Sequence, residues 1–185
     1  KKEPDPSPFI MKLSHLFLLM LVYFSFSTNI HASETPESLK QTLSAIDFSD
    51  ASSDESINTL IDGIQQEVDP KLRVSLLVEL MKALSGTAKA ERNRVLYGKV
   101  HTLATEQALD ELDFQALFEL ARAEKYLDNS QHAFELFETL VKKAKAISPK
   151  SLGDIYAEMA SLAGSMRDRQ NMRTYYDLAI ETLEQ

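Results

Sequence analysis

Histidines and paired carboxylates are the side chains of this sequence that could take part in acid–base catalysis. Two of the four histidines, His101 and His132, lie beyond residue 32. The sequence contains neither a His-Glu-x-x-His motif for zinc nor a Gly-rich loop for phosphate. Glu135 and Glu138 are three residues apart and would share a helical face. Because such a pair is usually a solvated helix surface, we expect no catalytic site and no enzymatic activity.

Sulfur-containing residues give no stronger indication of a metal site. Met159, Met166 and Met172 could bind copper in an exported protein, but methionine also fills irregular gaps where helices meet. We interpret them as core residues. The chain has no cysteine, which excludes disulfides, thiolate chemistry and cysteine-ligated zinc. We therefore expect no metal and no cofactor.

Length and composition favour one acidic, helical domain. The chain has 185 residues, is 44% hydrophobic and has a formal net charge of −8. It contains only five glycines and six prolines, which favours helix. An acidic surface disfavours nucleic acid as a partner.

Apolar residues recur at helical spacing along most of the chain beyond residue 34, and no stretch resembles a strand. Thr35-Pro36 and Asp69-Pro70 are typical helix starts, and Gly86 is expected to end a helix in the left-handed conformation. Eight helices are predicted in an all-α fold, as hairpins that begin near residues 36, 70, 111 and 150.

Two of these hairpins, residues 114–144 and 153–183, superpose as sequence with a period of 39 residues. A period of this size is typical of a solenoid in which each repeat buries a core with its neighbours. The residues that coincide are Leu117 with Tyr156, Leu120 with Met159, Ala121 with Ala160, Asn129 with Asp168, Ala133 with Met172 and Phe137 with Tyr176.

This pattern of large, small and aromatic residues resembles the tetratricopeptide (TPR) repeat over residues 111–185. The resemblance implies an α-solenoid of about four antiparallel hairpins, wound as a right-handed superhelix. Small residues such as Ala121 and Ala133 would let the helices of a hairpin approach closely. Met172 replaces the family's alanine, so we expect the last hairpin to be slightly splayed.

The resemblance also implies a concave groove lined by the first helix of each hairpin. On the third hairpin the groove positions are Gln115, Phe118, Arg122, Lys125 and Tyr126. Two cations beside two aromatic rings would suit an acidic partner or a carboxylate group. The alternative is that Arg122 and Lys125 are ordinary solvated charges and that Phe118 packs on a neighbouring repeat. On the last hairpin these positions hold Asp154, Ala157, Ser161, Gly164 and Ser165.

The N-terminal residues resemble an export signal. Met11-Lys12 is a short basic start, residues 13–26 are largely apolar, and Ala32 is a small residue suited to cleavage. We interpret residues 11–32 as a signal peptide, residues 1–10 as an extension from a misassigned start, and residues 33–185 as the folded domain. The alternatives are an uncleaved inner-membrane anchor and a buried core helix.

These features favour an exported, periplasmic scaffold that binds a protein or peptide partner. Apolar residues continue through the terminal helix, which also carries Tyr175 and Tyr176, so self-association through the last hairpin is a second expectation. The alternative function is a sensor ectodomain, truncated or freestanding, similar to the TPR-like extracytoplasmic regions of bacterial diguanylate cyclases and histidine kinases. An enzyme or small-ligand binder is a third, weaker hypothesis.

Overall fold

A computed structural model describes residues 35–184, and within this range the fold is all-α, as predicted. Consecutive helices pack against each other as in a helical repeat. The eight α-helices are α1 (Pro36–Ala45), α2 (Asp54–Gln65), α3 (Pro70–Leu84), α4 (Arg92–Glu106), α5 (Asp110–Tyr126), α6 (Ser130–Ile147), α7 (Leu152–Ser165) and α8 (Arg169–Leu183). The hairpins therefore begin within two residues of the predicted positions 36, 70, 111 and 150. The interpretations of residues 1–10 and 11–32 lie outside the described residues.

Local side chains stabilise the first turns of three helices. The Thr35 hydroxyl accepts a hydrogen bond from the Ser38 amide at 3.3 Å at the start of α1. The Asp69 carboxylate accepts from the Lys71 amide at 2.9 Å at the start of α3. These caps satisfy amides that have no partner inside the helix, and both had been expected from the sequence. Asp168 caps α8 in the same way.

The residues that adopt the left-handed conformation at helix ends do not include Gly86, which the sequence had predicted. Gly86 has no positive φ, so the prediction for this glycine was wrong. Ala108, Asp128 and Arg167 adopt φ values of 53°, 61° and 61° after α4, α5 and α7. At each end, the amide of the following residue reaches the carbonyl five residues back, for example from Asn129 to Glu124 at 2.9 Å. This bond closes a Schellman turn, and it holds a residue with a Cβ in a conformation that usually favours glycine.

The core confirms the pattern of large and small residues inferred from the repeat. Ala121 and Ala133 are both fully buried, as the close approach of α5 and α6 requires. Phe137 is also fully buried and forms a T-shaped pair with Phe118, with ring centroids 6.0 Å apart. Helix α3 buries seven side chains.

The last hairpin is not splayed, contrary to expectation. Helices α7 and α8 contact each other more extensively than any other pair of helices. The reason is glycine on α7: a Cβ at Gly164 would lie 3.2 Å from the sulfur of Met172, and one at Gly153 would lie 2.9 Å from Leu183. Missing side chains on α7 thus make room for large ones on α8.

Candidate partner-binding groove

Helices α3, α5 and α7 line one face of the domain, where three adjoining cavities have volumes of about 320, 220 and 410 Å³. Each of these helices is the first of its hairpin, which is the position expected to line the groove. All five predicted groove residues line at least one of the three cavities: Gln115, Phe118, Arg122, Lys125 and Tyr126. On α7, Asp154, Ala157 and Ser161 line the cavity of 410 Å³. We call this face the groove.

The groove is widest between α5 and α7. Helices α3 and α5 approach closely, whereas α5 and α7 make few close backbone contacts. Instead, Glu158 of α7 reaches across to α5. Its carboxylate lies 2.7 Å from the Lys125 ammonium and 3.3 Å from Nε of Arg122. Lys125 also donates to the Ser161 hydroxyl at 2.9 Å. Ion pairs therefore join the two helices across a cleft that apolar side chains do not fill.

Arg122 has a second carboxylate partner on its own helix. Glu119 lies one turn earlier, with an oxygen 3.2 Å from a terminal nitrogen of Arg122. The Glu119 side chain is largely buried and accepts a hydrogen bond from the Ser85 hydroxyl of α3 at 2.8 Å. Ser85 in turn accepts from the Asn93 amide at 3.0 Å. This network holds Glu119, and through it the guanidinium of Arg122, in place. The Arg122 side chain remains 38% exposed.

The charges of the groove nearly cancel. Four carboxylates and three cations line it, so its formal charge is −1. The carboxylates are Glu79, Glu119, Asp154 and Glu158, and the cations are Lys82, Arg122 and Lys125. The two cations expected to attract an acidic partner are thus already paired. An incoming carboxylate would have to displace Glu158 from them.

The aromatic side chains of the groove differ in exposure. Tyr126, at the end of α5, is 53% exposed beside Arg122 and Lys125. Phe118 is half-buried and packs on Phe137, as the alternative interpretation held. Its ring also lines two of the cavities. Tyr126 is therefore the aromatic ring most accessible to a partner.

Glu119 and Glu158 pair with the cations of the groove, and the sequence analysis missed both. A signal for them was present, because both occupy the sixth position of their hairpins when residues 114–144 and 153–183 are superposed. Arg122 also follows Glu119 at the i, i+3 spacing that places two side chains together on a helix. That Glu158 would reach across to the preceding hairpin could not be inferred from spacing within one helix.

A second polar cluster lies at the end of α5, away from the groove, beside an open cavity of about 810 Å³. The Glu124 side chain is fully buried there and accepts two hydrogen bonds from Arg94 of α4, at 2.5 and 2.8 Å. Asn129 donates to it at 2.8 Å, and the His132 ring lies 3.5 Å away. The Arg94 hydrogen bonds, together with Asn129, hold the pKa of Glu124 below its usual value of 4.5. This cluster joins α4, α5 and the start of α6.

The lowered pKa of Glu124 predicts a loss of stability in acid. A carboxylate whose pKa is lower in the folded state stabilises the fold above its unfolded pKa, and this contribution disappears as the pH falls through the folded value. We expect Glu124→Gln to lower the melting temperature at neutral pH, and the gap from the wild type to shrink below pH 4.5. Thermal unfolding followed by circular dichroism over this pH range measures the effect. Glu138→Gln, an exposed change on α6, should leave the pH profile unaltered.

None of the family models, curated proteins and solved structures compared with the chain matches it. Within residues 35–184, no helix combines the length and the apolar character needed to cross a membrane. In the same range, no three His, Asp or Glu side chains are grouped as metal ligands would be.

Proposed function

We propose that this chain is an exported, TPR-like scaffold that holds a segment of a partner protein in the groove. The observation that carries the proposal is the cleft between α5 and α7, where Tyr126, Arg122 and Lys125 border one accessible surface. An aromatic ring beside an arginine is the combination most often found where binding energy concentrates. The shallow, open form of the three cavities suits an extended polypeptide better than an enclosed small molecule.

The pairing with Glu158 suggests how an acidic partner would bind. Arg122 and Lys125 are held in place by a carboxylate before the partner arrives, so little side-chain entropy is lost on binding. A carboxylate of the partner takes over the hydrogen bonds of Glu158, and Tyr126 packs on the apolar part of the same segment. Because one carboxylate replaces another, the selectivity for acidic over neutral segments should be moderate.

The proposed place of action is the periplasm, with residues 11–32 as a cleaved signal peptide. The charged start, the short apolar stretch and Ala32 support export. Retention in the inner membrane by an uncleaved segment 11–32 is the alternative location.

Capture of a partner from a periplasmic extract tests the proposed function. The purified chain is immobilised, and the recovered protein is identified by mass spectrometry and measured again with variants. Tyr126→Ala should reduce recovery at least tenfold, since a tyrosine that a partner covers as a binding hot spot contributes about 2 kcal/mol or more. Val95→Ala removes an apolar side chain that is 67% exposed on α4, outside the groove, and should leave recovery unchanged. Equal recovery with both variants would place the binding site elsewhere.

A further inference from the structure

The terminal helix α8 presents an apolar face that nothing in the described part of the chain covers. Tyr176, Ile180 and Leu183 are 45%, 56% and 69% exposed. Their spacing of four and three residues places them in one stripe along the helix. The neighbouring Tyr175 points elsewhere and packs between Phe134 and Tyr156, with centroid distances of 5.8 and 6.4 Å. Of the two tyrosines, only Tyr176 belongs to the exposed stripe.

The repeat shows that this stripe is a helix-packing face. When the third and last hairpins are superposed, Tyr176, Ile180 and Leu183 coincide with residues 137, 141 and 144 of α6. On α6 the first and third of these positions are fully buried, and Phe137 contacts Phe118 of the preceding helix α5. The corresponding face of α8 thus has the spacing of a surface that is buried between helices in this fold.

Charged residues beside the stripe indicate which helix fits there. Arg169 and Arg173 lie beside it in the first half of α8, Asp177 lies beside it in the second half, and Glu184 directly follows the last residue of the helix. None of these four side chains makes an ion pair within residues 35–184. The order is also opposite to the one that the helix dipole favours, which places carboxylates early and cations late. The pattern therefore does little for α8 alone.

We propose that α8 pairs in antiparallel orientation with α8 of a second copy of this chain. A two-fold axis near residue 178 sets Tyr176 against Ile180 of the second copy. The same rotation brings Arg173 close to Glu184 of the second copy, and it does so twice because the contact is symmetric. In a parallel pair the two-fold axis would place these charges at opposite edges of the interface, so Arg173 would not meet Glu184. The antiparallel homodimer alone satisfies both the apolar stripe and the charge order.

The size of the stripe sets the strength of this dimer. A helix of 15 residues is about 22 Å long, so one pair of helices buries less than the roughly 1,600 Å² of a standard stable interface. The dimer is therefore weak and depends on protein concentration. It does not depend on what occupies the groove, because α8 contributes no residue to the groove cavities.

Charge reversal on α8 tests the antiparallel dimer. Sedimentation equilibrium is measured over a concentration series on the protein purified after expression of the full chain. Arg173→Glu and Glu184→Arg should each weaken dimerisation about tenfold or more, because each sets like charges together at two symmetric places. The double variant Arg173→Glu with Glu184→Arg should restore it. Glu181→Arg makes the same charge change on the side of α8 away from the stripe and should have little effect.

The expected pattern is loss, loss and rescue, with circular dichroism showing intact helicity in every variant. The double variant also agrees better with the helix dipole, so unfolding of α8 would not explain a failed rescue. A wild-type protein that stays monomeric at all concentrations overturns the proposal. The proposal is also overturned if neither Arg173→Glu nor Glu184→Arg changes the dissociation constant of the dimer, or if the double variant does not restore dimerisation.

Discussion

Phe137→Ala is expected to lower the free energy of unfolding by about 3–5 kcal/mol, the usual loss when a fully buried phenylalanine is truncated. The ring has no exposed surface and packs on Phe118 in a T-shaped arrangement. Its removal leaves a cavity between α5 and α6, and the fully buried Ala133 and Leu140 on the same helix face cannot extend to fill it. Urea denaturation followed by circular dichroism measures the change.

Tyr176→Ala is the matched control, since Tyr176 holds the equivalent position in the last hairpin and is 45% exposed. Truncating it should cost about 1 kcal/mol or less at protein concentrations too low for self-association. If both variants lowered the free energy of unfolding by a similar amount, the difference in burial between Phe137 and Tyr176 would be contradicted.

The double variant Arg122→Ala with Lys125→Ala is expected to weaken binding of an acidic partner by about a hundredfold, while helicity is retained. The substitutions remove both cations that would hold a carboxylate in the cleft, and charge-assisted hydrogen bonds of this kind contribute about 1.5–3 kcal/mol each. Because the two side chains are only partly buried, the effect should decrease as salt is added. Isothermal titration with the captured partner, or with the peptide that binds, gives the dissociation constants.

Glu158→Gln provides the opposite change at the same place. It leaves the shape of the cleft nearly unaltered but removes the carboxylate that occupies Arg122 and Lys125. An acidic partner should then bind more tightly than it binds the wild type. Lys142→Ala removes an exposed cation outside the groove and should have no effect. Weaker binding by Glu158→Gln would contradict the exchange of carboxylates, and a loss with Lys142→Ala equal to that of the double variant would exclude the groove.

Local features made the helices predictable. Helix starts at Pro36 and Pro70 follow from a capping side chain and a proline whose missing amide would have had no partner there. The buried alanines at 121 and 133 follow from the superposition of two hairpins, because helix contacts of one kind recur with the repeat. Each of these inferences needs only local residues or the comparison of one hairpin with another.

Three outcomes depended on residues brought together from different hairpins or helices. Glu158 meets Lys125 across 33 positions of sequence, and no local spacing indicates that pairing. The last hairpin closes tightly because Gly164 faces Met172 on the opposite helix. Gly86 was expected in the left-handed conformation, but the backbone adopts it at Ala108, Asp128 and Arg167, where the amide of the next residue bonds to a carbonyl in the last turn of the helix.

The amino-acid sequence by itself determined the number, order and boundaries of the helices, since periodicity, caps and turns act over a few residues. The resemblance to the TPR repeat also identified five of the α5 side chains that line the groove cavities. The tertiary structure alone decided that Arg122 and Lys125 are already paired, and that Phe137 is buried while its counterpart Tyr176 is exposed. The physical reason is that ion pairing and burial depend on which side chains of other helices lie next to a residue. Helices α6 and α8 have similar sequence patterns, but their equivalent residues differ in burial because their neighbours differ.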